Sequence, residues 1–260
     1  MFFVRSLSTR LVARLARTCI FVCGCVFVAQ VFGYDAPVPF VSGGGLALDG
    51  LPGWESSPAR RANTAVGVSA FFRSDVSQEW VLSAAGEWGG PSFRGAFLYS
   101  YYALDSLFRQ SAAFLDAAYS YGSFVGGVGI GAVAQWIPED AGWVRYRLKT
   151  GLALCVGEFA FSAQWSGFLD EFRDRPRVGV LWDASTTFTA YVETGFESVV
   201  VGSRLDFAWG SVESSYVFPG FALWFGVSFG FGGYRIGVEH GADGILPAWN
   251  GVWVSKNFKK

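Results

Sequence analysis

Large apolar and small side chains alternate along residues 221–232. Successive side chains of a β-strand point to opposite faces, so this pattern predicts a strand with one apolar and one nearly bare face. The even positions are mostly Gly, Ser or Ala, and the odd positions are Phe221, Leu223, Phe225, Val227, Phe229 and Phe231. Because no segment has the helical period of a covering layer, we expect the apolar face to contact lipid.

The same alternation continues from Thr64 almost to the C-terminus. It predicts about fourteen strands, with ten to fourteen as the range because short neighbours can merge. The predicted strands are 64–72, 79–88, 93–104, 110–122, 127–136, 144–156, 159–166, 177–184, 187–196, 198–209, 211–218, 221–232, 234–240 and 249–258. The predicted fold class is all-β, a transmembrane antiparallel up-and-down β-barrel that occupies residues 62–260.

Charged residues indicate which face of each strand points inward. Arg145, Arg147 and Lys149 alternate with apolar residues, and a charge near the midplane of a lipid-facing barrel wall costs about 2–4 kcal/mol. We therefore expect these cations to face the lumen, where they either attract anions or anionic head groups in a polar pore or join a salt-bridged network that fills the interior. The full predicted set that lines the lumen and contacts solute is Glu79, Glu87, Arg145, Arg147, Lys149, Gln164, Asp183, Glu193, Arg204, Asp206, Arg235 and Glu239.

The first 33 residues have the features of a secretory signal peptide. Four arginines, the last of them Arg17, precede an apolar core over residues 19–29. Residues 31–33 then end in the small residue Gly33, as the cleavage site of a signal peptide does. A single anchor helix and lipidation at Cys25 are the alternatives. Residues 34–61 are rich in Gly, Pro and Ser and are predicted to form a periplasmic arm or a segment that plugs the barrel.

Composition excludes several classes of function. The chain of 260 residues is 52% hydrophobic and 18% aromatic with 16% charged residues, which argues against disorder. Loss of the signal peptide would leave 16 basic and 21 acidic residues, a net charge of −5, so nucleic acid is not an expected partner. Cys155 would be the one remaining cysteine and His240 is the one histidine, so we expect no disulfide, no metal site and no cofactor.

Two further patterns have specific interpretations. Residues 127–132 match the glycine pattern of a dinucleotide-binding motif. The alternation continues to Trp136 and Pro138 follows, so no helix begins there whose N-terminus could bind a pyrophosphate. The glycines are instead expected to leave room in a narrow interior. Six tryptophans near strand ends are predicted to form the aromatic girdles of a barrel: Trp88, Trp136, Trp143, Trp165, Trp209 and Trp249.

The N-terminal region resembles the long-chain fatty-acid transporter (FadL-like) barrels of bacterial outer membranes. The residues that carry the resemblance are Ser57-Pro58-Ala59-Arg60, where that family has Asn-Pro-Ala-Gly before its first strand, so Pro58 and Ala59 match. The resemblance implies transport of lipophilic solutes.

The C-terminal region resembles the tail of the lipid A deacylase barrels. His240 is followed by Ala242 and Asp243, where that family has a nucleophilic Ser and an Asn. Since no hydroxyl stands at the nucleophile position, the sequence predicts no enzyme.

The expected location is the bacterial outer membrane, with the lipid bilayer and the outer-membrane assembly machinery as partners. The leading hypothesis is a channel or transporter for small, including lipophilic, solutes. The alternatives are a structural or surface-interaction barrel whose lumen is plugged by its own charges, a lipid-modifying hydrolase, and a soluble β-sandwich.

Overall fold

The structure is a computed structural model that describes residues 65–73, 79–90, 92–104, 108–138, 142–169, 176–195, 199–219, 222–242 and 248–258. Within these ranges the strands are β1 (Ala65–Arg73), β2 (Glu79–Gly89), β3 (Phe93–Leu104), β4 (Phe108–Tyr121), β5 (Phe124–Trp136), β6 (Trp143–Val156), β7 (Phe159–Phe168), β8 (Arg177–Asp183), β9 (Phe188–Thr194), β10 (Val199–Phe207), β11 (Gly210–Phe218), β12 (Ala222–Phe231), β13 (Tyr234–Ala242) and β14 (Trp249–Asn257). The described part of the chain contains no helix with the length and hydropathy needed to cross a membrane.

The fourteen strands form one closed antiparallel barrel. Each strand pairs with its neighbours in sequence, and β1 closes the sheet by pairing with β14. Closure gives every strand two partners, which satisfies the backbone hydrogen bonds that hydrocarbon cannot satisfy. The prediction of an up-and-down transmembrane barrel with about fourteen strands is confirmed.

The outer face of the barrel is apolar. In β12 the exposed fraction is 55% for Leu223, 48% for Phe225 and 61% for Phe231, whereas inward Ser228 is 3% exposed. Leaving a large apolar side chain in water forgoes about 1.5–3 kcal/mol of burial, and this exposure is repeated around the sheet. The outer face is therefore the membrane-facing surface that the alternation predicted.

The two ends of the barrel differ in their connections. The six links at one end, here called the turn end, are two to four residues long, and the seven at the other, the loop end, are three to eight residues long. Ala65, the first residue of β1, lies opposite Asn257 at the turn end. Gly122 and Gly157 begin two-residue turns there with φ of 59° and 60°, a left-handed conformation that hairpins of this length need.

Large rings on the inner face lie over glycines of the adjoining strand. Phe71 is opposite Gly251 and Trp224 is opposite Gly241, and a Cβ at either glycine would overlap the ring. The missing side chain lets the ring lie along the wall instead of pointing towards the barrel axis. This agrees with the expectation that glycines leave room in the interior.

Two of the six predicted girdle tryptophans face the interior, so that prediction was wrong for them. Trp249 is 7% exposed and packs in one cluster with Phe71, and Trp143 packs edge-on against Phe168 with ring centroids 6.3 Å apart. Proximity to a strand end does not determine the face of a residue, because the face depends on whether its position is odd or even. The other four of the six face outward: Trp88, Trp136, Trp165 and Trp209.

Three predicted features lie outside the described residues. They are the signal peptide over residues 1–33, the arm or plug segment over residues 34–61, and most of the charged loop over residues 170–176. They remain predictions.

Candidate functional site

All twelve residues predicted to line the lumen lie on the inner face of the barrel. Residues directly opposite each other on paired strands share a face, and the register places every one of the twelve on the same side as the buried rings. They occupy seven strands: Glu79 and Glu87 on β2, Arg145, Arg147 and Lys149 on β6, Gln164 on β7, Asp183 on β8, Glu193 on β9, Arg204 and Asp206 on β10, and Arg235 and Glu239 on β13. Their contact with a solute remains a prediction.

Burial divides the twelve into two groups. Lys149 is 2% exposed, and Glu79, Glu87, Glu193 and Arg204 are 6–8% exposed, so these five are embedded in the lining. The other seven are half-buried, apart from exposed Asp183 at the turn end. Only this second group offers solute much surface.

The loop end of β1–β3 holds a compact ion-paired cluster. Arg73 approaches Glu79 with a nitrogen-to-oxygen distance of 3.1 Å, and the Tyr102 hydroxyl donates a 2.8 Å hydrogen bond to the same carboxylate. The Arg73 guanidinium also lies 4.6 Å from the centroid of the Trp249 ring. These contacts give Glu79 a role in holding the wall together.

Lys149 is held in the middle of the wall by an acid and a ring. Its ammonium nitrogen lies 3.9 Å from Asp116 Oδ2 and 3.8 Å from the Phe114 ring centroid. Asp116 reaches it across Gly129, where a Cβ would overlap the carboxylate. A buried charge with its partner in place is a structural feature, because the loss of one partner leaves the other unpaired.

Arg145 and Arg147 are held by aromatic rings nearer the loop end. The guanidinium carbon of Arg145 is 4.4 Å from the Phe168 centroid and 5.5 Å from the Trp143 ring, and that of Arg147 is 5.6 Å from Phe168. A guanidinium that stacks on a ring keeps its charge and directs its N–H donors along its edge. These two side chains are half-buried, unlike Lys149.

The opposite part of the wall, β9–β13, is held mainly by acids and hydroxyls. Arg204 makes an ion pair with Asp206, and Arg235 approaches the same carboxylate to 3.6 Å. The Tyr191 hydroxyl donates a 3.0 Å hydrogen bond to Glu213, with the Tyr191 ring lying over Gly202. Trp253 is hydrogen-bonded to Glu239.

Two smaller pairs lie at the turn end. Glu87 and Arg94 approach to 4.0 Å on β2 and β3. Thr189 donates a 2.9 Å hydrogen bond to Asp183 on the neighbouring strand.

The inner charges are distributed unequally. On the described strands, β1–β7 carry five inward cations and three inward acids, and β8–β14 carry three cations and five acids. The first group is Arg73, Arg94, Arg145, Arg147, Lys149, Glu79, Glu87 and Asp116, and the second is Arg177, Arg204, Arg235, Asp183, Glu193, Asp206, Glu213 and Glu239. The lumen therefore has a more cationic and a more acidic side.

Sequence reasoning missed several of these inward residues. Asp116, Glu213 and Arg94 lie in predicted strands whose inner face was not assigned, and Arg73 stands one residue beyond the predicted end of the first strand. Extending the odd and even positions to the ends of each strand would have found all four. Their partners required the register, which the sequence pattern does not contain.

The one histidine lies on the outer face. His240 Nδ1 is 2.9 Å from Asn250 Oδ1, on the membrane-facing side of β13 and β14. Ala242, which stands where the lipid A deacylases have their nucleophile, ends the same strand. The described residues contain no group of three or more His, Cys, Asp or Glu side chains that could hold a metal ion.

Comparison with solved structures gives a likeness of fold. The outer membrane protein Omp33 of Acinetobacter baumannii is 10% identical over 75% of this chain and 98% of its own, with a TM-score of 0.54. A triple mutant of the Rhodopseudomonas blastica porin is 10% identical over 75% of this chain and 99% of its own, with a TM-score of 0.40. No protein-family description and no curated protein matches the sequence. At this identity the likeness concerns the fold alone.

Proposed function

We propose that this chain is a bacterial outer-membrane protein whose barrel interior forms a narrow passage for small solutes. The apolar outer face suits a bilayer, and the short turns at one end with longer links at the other match the periplasmic and extracellular ends of such barrels. Insertion by the outer-membrane assembly machinery belongs to the same proposal.

The observation that carries the proposal is a closed wall of fourteen strands with accessible charges on its inside. Eight strands give an interior that side chains can fill, and 16 to 18 leave an aqueous channel. Extensive backbone contacts in the described part join only neighbouring strands of the sheet, so opposite walls stand apart. Several inner rings lie along the wall, which favours a residual passage.

The half-buried charges of the lining favour small polar solutes over lipophilic ones. Arg145 and Arg147 are the most clearly placed to attract anions, since both stand at the loop end. Lipophilic solutes, which the FadL-like resemblance implies, would have to use the ring-covered parts of the lining.

Conductance of the protein from Tyr34 onward in planar bilayers tests the passage. We expect discrete current steps in potassium chloride and swelling of liposomes in small sugars or amino acids. Protein boiled before reconstitution is the control and should give neither signal. A correctly refolded, heat-modifiable barrel with no conductance and no swelling would overturn the proposal.

The second candidate is a structural or surface-interaction barrel with a plugged lumen. Its supporting observation is the burial of Lys149 and four other predicted lumen residues, which are 2–8% exposed. Replacing Arg145 and Arg147 together by Gln distinguishes the candidates, and Lys149 is kept because its loss would leave Asp116 unpaired under either of them. A plug should lose heat resistance, whereas a pore should change ion selectivity and stay folded at moderate temperature.

Residues 34–61 help to decide between an open and a plugged lumen. They precede β1, which begins at the turn end, so a plug formed by this segment would enter the barrel from that end. Its deletion should raise conductance if the segment enters the barrel, and should leave conductance unchanged if it is a periplasmic arm. Cys155, on the inner face close to the turn end, reports the same event. Its labelling by a charged thiol reagent should accelerate after the deletion only if the segment covers it.

We also propose that the protein is not an enzyme. A membrane hydrolase of the lipid A deacylase type would need His240 to activate a nucleophile, yet Ala242, which has no hydroxyl, stands at the nucleophile position. Any lipid-directed activity should survive His240→Ala, and its loss in that variant would contradict this part of the proposal.

A further inference from the structure

The loop-end part of the wall between β6 and β7 brings two guanidinium groups and two aromatic rings together. Arg147 lies directly opposite Phe168, and Arg145 stands one inward position further towards the loop end. Both guanidinium carbons lie within 5.6 Å of the Phe168 centroid. Trp143 meets the edge of Phe168 at an interplanar angle of 86°.

The register makes this part of the wall prominent. β8 pairs with β7 only as far as Gln164, which is opposite Arg177, so Phe168 stands beyond the last β7–β8 pair. In the same way β6 extends past its last β7 partner to Trp143. The rings and guanidinium groups therefore stand near the rim of the barrel, where a solute arriving from the loop end meets them early.

A buried hydroxyl beside this group adds a polar contact. Ser166 lies on the inner face opposite Lys149 and is 5% exposed, and its Oγ makes no hydrogen bond within the described structure. A buried hydroxyl without a partner is costly, so it is a ready donor to a bound oxygen or water.

We propose that Arg145, Arg147, Phe168, Trp143 and Ser166 form a binding site for planar carboxylates, meaning anions that join a carboxylate to an aromatic or conjugated ring. A guanidinium edge matches a carboxylate in two parallel hydrogen bonds. Phe168 and Trp143 add ring contacts, which favour a flat apolar body over a saturated one. The site rests on the proposed passage because it would concentrate such solutes at the entrance of the lumen.

Equilibrium titration of the detergent-refolded protein with four probes tests the site without requiring conductance. The probes are benzoate, cyclohexanecarboxylate with the same charge but no planar ring, acetate, and neutral benzamide. Benzoate should bind saturably and about tenfold more tightly than cyclohexanecarboxylate, which corresponds to about 1.4 kcal/mol, with acetate and benzamide weaker still.

Matched variants assign the binding to these residues. Arg145→Gln with Arg147→Gln should abolish saturable benzoate binding, and Phe168→Leu should remove the preference for benzoate over cyclohexanecarboxylate. Arg109→Gln is the control, because Arg109 also stacks on a tryptophan, 5.0 Å from Trp136, but on the outer face of the barrel. It should bind benzoate as the parent protein does.

The outcomes separate this site from the proposed passage. Saturable benzoate binding in a protein that does not conduct would support the site and overturn the passage. Conductance without benzoate binding would overturn the site alone. Equal binding of benzoate, cyclohexanecarboxylate and acetate would also overturn it, because it would reduce the cluster to an unselective anion patch.

Discussion

The interior presents two walls that are built from different chemistry. On β4–β7 the cations are held by rings and by one buried acid, as Lys149 is by Phe114 and Asp116. On β9–β13 acids dominate and are held by hydroxyl and guanidinium donors, as Glu213 is by Tyr191. The strands differ too, with 10–14 residues in β4–β7 and 7–10 in β9–β13.

On both walls, burial separates structural charges from accessible ones. Aromatic neighbours leave a cation its charge, whereas an acid that accepts several hydrogen bonds has part of its charge offset locally. We infer that the buried charges, such as Lys149, hold the barrel in shape, and that the half-buried charges, such as Arg145, act on what enters it. The predictions below test that division.

The largest expected effect comes from breaking the buried pair of the first wall. Lys149→Met should destabilise the barrel by about 3–5 kcal/mol, because it leaves Asp116 buried and unpaired. Arg235→Met on the second wall should cost far less, because Asp206 keeps Arg204 and its side chain is 32% exposed. Urea unfolding in liposomes measures both.

The double variant Lys149→Met with Asp116→Asn is the control for that experiment. It removes both buried charges and should recover most of the lost stability. Equal destabilisation by Lys149→Met and Arg235→Met would contradict the assignment of different roles to buried and half-buried charges.

Rings that lie over glycines should be indispensable on both walls. Gly131→Ala should force Phe114 from its position, and Gly202→Ala should do the same to Tyr191, each at a cost of about 1–3 kcal/mol. Gly126→Ala on the outer face of β5 is the matched control, because its Cβ would lie 3.6 Å from Phe124 in ordinary contact. If Gly126→Ala is as harmful as Gly131→Ala in the same unfolding assay, the packing argument fails.

The smallest expected effects are on ion selectivity. Two unit charges about 8 Å apart in water interact by about 0.5 kcal/mol, so removing one lining charge should change the permeability ratio about twofold. Arg145→Gln should shift it towards cations and Asp206→Asn towards anions, as measured by reversal potentials in a salt gradient. Shifts in the same direction for both variants would mean that neither side chain faces the conducting path.

The sequence predicted most of the fold because the alternation itself determines which face of a strand is apolar. Phe225 and Arg147 could be assigned to opposite faces from their neighbours alone, since hydrocarbon accepts one and excludes the other. Trp143 and Trp249 could not, because a tryptophan suits both a girdle and a packed interior.

The partners and burial of the candidate site could not be predicted in the same way. That Asp116 meets Lys149 across Gly129 depends on the registers of two strand pairs. In a closed barrel the registers are set jointly by turn geometry and by the stagger that closure requires, and no single strand contains that information. For the same reason Lys149 and Arg145, which lie four residues apart on the inner face of one strand, looked equivalent but differ in burial.

The most direct test of the account compares two adjacent positions of β7 in a Cys155→Ser background. Gln164 faces the lumen and Ala163 faces the membrane. In liposomes, a charged thiol reagent should react rapidly with Gln164→Cys and slowly with Ala163→Cys, because only the first side chain meets water in the barrel. If Gln164→Cys stays inert, the interior is closed to solute, and if Ala163→Cys then reacts rapidly, the two faces are also reversed. Either result would mean that the proposed passage is wrong.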